Sequence, residues 1–248
     1  MKLLMITRKV DKNDALAGFV YGWVRKLGLA LSDPDSRLYI ICLEKGDISD
    51  FPDNVEVFSL GKEIGVNRWG RFIEFQKFAY KLVPKVDGIF CHMNPEYTIN
   101  IWPYAKMRNK KIVSWYTHGA ITWKVKLLEK MADTIFTASR QSFNLPTKKL
   151  QITGHGINIE DFKPDENKND LTIFTILTVG RISPTKDIES IIKAIDILKE
   201  EKIENIHLDI VGEPGLSEQF RYYESLRQMV RTMKLDDIIT FRGPVPNR

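Results

Sequence analysis

Short apolar runs of strand length alternate along the chain with longer stretches of helical period. Residues 2–10 (KLLMITRKV) form the first run, and a helical pattern follows at 15–27. Runs at 37–43, 55–60, 86–92, 111–116 and 134–138 are short and apolar, as strands buried in a sheet are. The stretches 67–85 and 123–131 instead carry a period near 3.6 residues. After residue 170 the pattern begins again. Ile173, Phe174, Ile176, Leu177 and Val179 read as a buried strand, and Ile188, Ile191, Ile192, Ile195 and Leu198 form an i, i+3, i+4, i+7 stripe. A strand at 206–211, a helix at 217–234 and a third strand from 238 to 241 complete it. Strands alternating with helices predict an α/β fold with parallel sheets. Residues 165–170 (DENKND) are polar without apolar period and read as a linker. The expected domains are therefore 1–164 and 171–248.

The strand-to-helix turn at 177–187 (LTVGRISPTKD) carries the most chemistry. Gly180 ends the strand, and Arg181, Ser183, Thr185 and Lys186 follow before the next helix. In an open α/β sheet such a turn lies at the carboxyl edge, where ligands bind. Free N–H groups at the following helix start favour anions. Arg181 offers a planar fork for phosphate oxygens and Lys186 a mobile point charge. The expected ligand is a phosphate, more specifically a diphosphate; the alternative is a solvated turn with two solubilising cations.

Other strand ends add candidates. His92 and Asn94 follow the 86–92 run, where they would face a bound substrate, or else cap the next helix. Thr117-His118-Gly119 follows the 111–116 run. Gly212-Glu213-Pro214-Gly215 follows 206–211, with Glu213 either a ligand contact or part of an ordinary turn. Asp33-Pro34-Asp35 has the look of a metal-binding Asp-x-Asp, but it precedes a strand and so reads as a turn on the opposite edge. The 67–85 helix mixes Trp69, Phe72, Phe75, Phe78 and Tyr80 with Arg68, Arg71, Lys77 and Lys81. Its broad apolar arc and Glu74 favour burial against the sheet over a basic-aromatic face lying on anionic lipid.

Composition narrows the class. The 248 residues are 43% hydrophobic, and no apolar run approaches a membrane span. The start reads as a strand and not as a signal peptide, which makes cytoplasmic the default, with peripheral contact at the inner membrane face the variant. Cys42 and Cys91 lie in apolar runs and read as core thiols; zinc is unsupported. The net charge of +5 suits anionic substrates or an anionic membrane and is too mild to argue for nucleic acid. No G-x-G-x-x-G stands between a strand and a helix, against a dinucleotide-dependent oxidoreductase.

The segment VGRISPTKDIESIIKAIDIL resembles the start of the second domain of glycosyltransferase family 4, and KLQITGHGINIEDFKP resembles that family's inter-domain passage. There His155 and Asn158 stand in the family's Asn and Asp places, while Gly156 and Phe162-Lys163-Pro164 match. The resemblance implies two Rossmann-like parallel-sheet domains of GT-B type, the second incomplete: a partial nucleotide-sugar-binding domain after an acceptor-side one. It implies a retaining hexosyltransferase that uses a UDP- or GDP-sugar, needs no metal or other cofactor, and glycosylates a glycan or lipid-linked acceptor. Arg181 and Lys186 would hold the donor diphosphate at Gly180, in a cleft made by domain closure. Gly212 and Glu213 would lie below the nucleotide. Ala17-Gly18 takes the place of a glycine pair facing the phosphates, although Gly18 and Gly22 equally suit helix packing. His118 matches a histidine beside the reacting bond. The family's glutamate–seven residues–glutamate motif is missing, so the chain is expected to be a fragment or a split or degenerate member. A non-catalytic module that binds a nucleotide sugar or a partner is the alternative.

Overall fold

The computed structural model describes residues 1–14, 18–156, 159, 173–203 and 205–245. It divides into two compact units, Met1–Asn158 and Ile159–Arg248. Ala17, Asn158, Phe162-Lys163-Pro164 and the expected linker 165–170 lie outside the described residues.

The first unit runs β1 (Lys2–Val10), α1 (Gly18–Ala30), β2 (Arg37–Lys45), β3 (Val55–Ser59), α2 (Arg68–Leu82), β4 (Gly88–His92), α3 (Pro95–Met107), β5 (Lys111–Trp115), α4 (Trp123–Met131), β6 (Thr134–Thr137) and β7 (Leu150–Ile152). Its seven strands form one sheet in the order β3-β2-β1-β4-β5-β6-β7, and every pairing is parallel. β1 lies at the centre, with Ile6 opposite both Ile41 and Cys91. Successive side chains on a strand point to opposite faces. Leu4 and Ile6 accordingly join one core with Phe75 and Ala79 of α2 and Ile101 of α3. Met5 joins the other, with Val20 and Val24 of α1. Burial on both faces explains why β1 reads as a continuous apolar run. Strand order reverses between β1 and β4, so their carboxyl ends flank the crevice where ligands of open α/β sheets bind.

The second unit runs β8 (Phe174–Val179), α5 (Ile188–Glu200), β9 (Ile206–Val211), α6 (Gln219–Thr232) and β10 (Ile239–Gly243). Its parallel sheet has the order β10-β9-β8. The expected isoleucine stripe is the packing face of α5: Ile188, Ile192 and Ile195 meet Leu208 and Ile210 of β9 and Leu226 and Val230 of α6.

Packing corrects two expectations. β8 is not a buried strand: Leu177 and Val179 are 60% and 65% exposed, and Phe174 is exposed as well. The chain steps from β8 to β9 to β10 in one direction, so right-handed crossovers put α5 and α6 on the same face. Ile176 points into that core, while Leu177 and Val179 point the other way. Nor is the apolar arc of α2 wholly buried. Phe75, Ala79 and Leu82 are buried, whereas Trp69, Phe72, Ile73 and Tyr80 stand in solvent. One helix side covers the sheet, and the arc is wider than that side.

Candidate functional site

In the second unit the exits of β8 and β9 touch. Gly180 and Gly212 have φ of +149° and +136°, a region open to glycine. A Cβ on Gly212 would lie 1.9 Å from the Gly180 carbonyl oxygen, so no larger residue fits. Backbone bonds lock the pair: Gly180 N–H donates to Val211 O (2.9 Å), and Ile182 N–H to Glu213 O (3.1 Å). Both cations of the turn lie across this junction. A Cβ on Gly180 would be 3.5 Å from Lys186 Cε and 3.8 Å from its Nζ, so the ammonium folds back over the strand exit. A Cβ on Gly215 would be 2.9 Å from Arg181 Cδ, so the arginine stem crosses the second loop. Among the described residues, neither cation has a carboxylate within ion-pair distance. Chain-local Gly180, Arg181 and Lys186 and distant Gly212, Glu213 and Gly215 thus share one edge. The Glu213 side chain is exposed.

The start of α5 differs from the simple anion-ready helix end. Asp187 holds its N-cap place at φ +48° and accepts a bond from Ser190 Oγ, and Glu189 occupies the first turn. The helix's own carboxylates already use its positive end. The groups left at this edge for an anion to meet are Arg181, Lys186 and the glycine backbone.

In the first unit the switch point is bridged by Thr7 Oγ1 and His92 Nδ1, 3.1 Å apart. His92 is 2% exposed, and Phe19, Trp23 and Phe90 surround its ring at centroid distances of 6.0, 5.1 and 6.2 Å. Burial pushes its pKa down to about 4, so the imidazole is neutral at pH 7. Its Nε2 is buried with no hydrogen-bond partner among the described residues. The adjacent Met93 takes the left-handed conformation, φ +73°. Asn94 then stands at the N-cap place of α3, but its amide donates to Tyr97 Oη (3.0 Å) instead of capping the helix. His118 lies exposed on the loop after β5, edge-on to Tyr116 at 5.7 Å. Gly18 opens α1; among the described residues a Cβ there would meet only Lys12 O, at 3.9 Å, and at Gly22 nothing within 4 Å. Helix packing therefore requires neither glycine.

Sequence reasoning missed the Thr7–His92 bridge, which joins residues 85 apart. It also missed Arg8 and Lys9, whose place at the end of β1 was the available signal. Arg8 is exposed, while Lys9 is tied to Asp11, Asp14 and Glu44. Asp33-Pro34-Asp35 is a turn, closed by Ser36 N–H donating to Asp33 O (2.9 Å). Among the described residues, no group of three His, Cys, Asp or Glu is placed to hold a metal, and no helix is long and apolar enough to cross a membrane.

Residues 159–248 match the family described as glycosyl transferases group 1. No curated protein matches the chain. Among solved structures, Anabaena Alr3699/HepE in complex with UDP superposes with a TM-score of 0.72 at 16% identity, over 99% of this chain and 70% of that one. The lipopolysaccharide outer core galactosyltransferase WaaB gives 0.62 at 14% identity, over 99% and 68%. TarM gives 0.68 at 9% identity, over 98% and 76%. The fold is that of these proteins, two parallel-sheet units of GT-B type.

Proposed function

We propose that this chain, whose second unit carries a glycosyl transferases group 1 domain, is a retaining hexosyltransferase acting on a nucleoside-diphosphate sugar, UDP- or GDP-linked. The observation that carries the reading is a pair of cations without a carboxylate partner among the described residues, Lys186 against Gly180 and Arg181 against Gly215, beside the junction where Gly180 meets Gly212. A diphosphate fits that edge. Its oxygens accept from the guanidinium and the ammonium, and backbone without side chains lets them approach. The complexes of HepE with UDP and with UDP-glucose support this ligand class.

In the transfer the bond from the anomeric carbon to the phosphate oxygen breaks, and its electron pair leaves with the diphosphate. The acceptor hydroxyl oxygen bonds to that carbon on the same face, and its proton passes to the departing phosphate. Arg181 and Lys186 stabilise charge as it develops on the leaving group, where a fixed cation is most effective. His118 is assigned to the sugar side of the reaction, with Gly18 beside the phosphates and Glu213 beside the nucleotide. His92 and Asn94 shape the acceptor edge of the first unit. The acceptor is a glycan or a lipid-linked hydroxyl. No metal is needed, since the two cations supply the leaving-group charge.

Calorimetric titration with UDP, GDP and their sugars, alongside a product assay, tests the reading. Lys186→Ala is expected to weaken nucleotide binding by about tenfold and turnover by about tenfold to a thousandfold. Unchanged affinity removes Lys186 from the site. Heat of binding without product from any acceptor makes the chain a nucleotide-sugar-binding module.

A further inference from the structure

We infer that one flank of α2 docks on an anionic lipid surface. The inference stands on that helix alone and is independent of the sugar-transfer reading. At 3.6 residues per turn, Trp69, Ile73, Gln76 and Tyr80 share one line along the helix, with Phe72 beside it. Trp69 is 76% exposed, Ile73 53% and Tyr80 67%. The Trp69 and Phe72 rings meet edge-on at 6.5 Å, and Ile64, just before the helix, is exposed too. The stripe is distinct from the packing line of Phe75, Ala79 and Leu82; the fold engages only its polar member, Gln76, whose Oε1 accepts from Tyr104 Oη of α3 (2.7 Å), and leaves the apolar members exposed.

Charge identifies the occupant. Residues 62–85 hold six cations (Lys62, Arg68, Arg71, Lys77, Lys81, Lys85) and two acids (Glu63, Glu74). That local excess of four is most of the net +5 of the whole chain. Arg68 borders the stripe on the Phe72 side and Lys77 on the Ile73 side, one helical turn away in each case. Some of the charge is engaged internally: Lys62 pairs with Glu44, Lys77 with Glu74, and Arg71 donates to Val66 O. Arg68, Lys81 and Lys85 have no ion pair among the described residues. An aromatic-aliphatic line edged by cations is the pattern of a helix lying in the headgroup layer. A protein partner is disfavoured, because a specific protein interface engages some 20–30 residues a side, far more than one helix flank offers. The stripe begins at the amino end of α2, which lies toward the carboxyl edge of the sheet. Arg68 there is close enough to Glu96, at the start of α3, to help lower its pKa.

Flotation of the full chain with phosphatidylcholine vesicles, with and without phosphatidylglycerol as about a third of the lipid, tests this. Binding is expected only to the anionic vesicles and should fall as salt is raised. Two double variants, Trp69→Ser with Ile73→Ser and Lys77→Glu with Lys81→Glu, should each weaken it at least about tenfold. All four positions are exposed, and an unchanged circular dichroism melt checks the fold. Wild-type chain that ignores the vesicles overturns the inference. So does equal binding to neutral lipid, variants that bind like wild type, or a dimer through this flank in place of lipid binding.

Discussion

Replacing Gly212 by alanine tests the junction on which the second unit's edge is built. The added methyl would lie 1.9 Å from the Gly180 carbonyl oxygen. Ordinary contact requires a retreat of more than about 1 Å, which backbone cannot make without losing neighbouring bonds. The bonds at risk are Gly180 N–H to Val211 O and Gly212 N–H to Gly243 O, both 2.9 Å. Losing one costs about 1 kcal/mol, and holding alanine at φ +136° adds about 1–3 kcal/mol. The sum, about 3 kcal/mol, corresponds to a fall of roughly 10–20 °C in the melting point of a domain this size. Gly243→Ala is the control: its φ is +72°, and its Cβ would meet nothing within 4 Å, so only about 1 kcal/mol is expected. All five tryptophans (Trp23, Trp69, Trp102, Trp115, Trp123) belong to the first unit. Urea unfolding followed by tryptophan fluorescence should therefore be unchanged. The far-ultraviolet signal and amide exchange of β8 and β9 should report the loss. A Gly212→Ala chain as stable as the Gly243→Ala chain would refute the close contact.

Two further outcomes concern the first unit. Burial lowers the pKa of His92 from its ordinary 6.5 to about 4, so between those pH values the unfolded chain binds a proton that the folded chain does not. Stability is thus intact above pH 6.5 and falls as pH drops, by up to about 1.4 kcal/mol per pH unit from this group. Urea midpoints read by tryptophan fluorescence from pH 7 to 5 should flatten in His92→Gln; an unaltered slope would place the ring in water. Cys42 and Cys91 are buried, and burial pushes both thiols up to about 12. Neither should react with a disulfide reagent at pH 8 until urea opens the unit; rapid labelling of native protein would contradict that packing.

Local pattern carried the element order, because strand and helix periods are set by neighbours a few residues away. Residues 2–10 and 206–211 are strands to the residue, and 123–131 is a helix to the residue. What pattern could not convey is which side of an element finds a partner. Leu177 and Val179 look like core residues from composition, yet the strand order leaves their face uncovered by α5 and α6. Likewise the aromatics of α2 give one wide arc, and the sheet can cover only one side of it. The site was legible to the extent that it is chain-local. Gly180, Arg181 and Lys186 lie within seven residues, but the Gly212 contact that shapes their edge and the Thr7–His92 bridge depend on strand pairing. Sequence also hid the orphaned Nε2 of His92, since burial of one ring nitrogen depends on aromatics from α1 and β4 closing over it.

The two units place basic side chains at equivalent positions and use them differently, which decides where an anionic ligand is to be sought. Lys9, near the end of β1, sits 3.2 Å from Asp11, 2.5 Å from Asp14 and 3.1 Å from Glu44. The Asp14 carboxylate above all raises its pKa. Those acids take up the charge of Lys9 inside the cluster, where Glu44 is shared with Lys62, and the cluster fastens the loop after β1 to the end of β2. Arg181 and Lys186, after β8, have no such partners among the described residues, and their charge is available to a ligand. A diphosphate arriving there could form charge-assisted hydrogen bonds without first displacing a carboxylate. An anionic ligand is therefore to be sought at the second unit's edge before Lys9, and a Lys9→Ala chain should bind UDP as tightly as the wild type; a marked loss would refute the distinction.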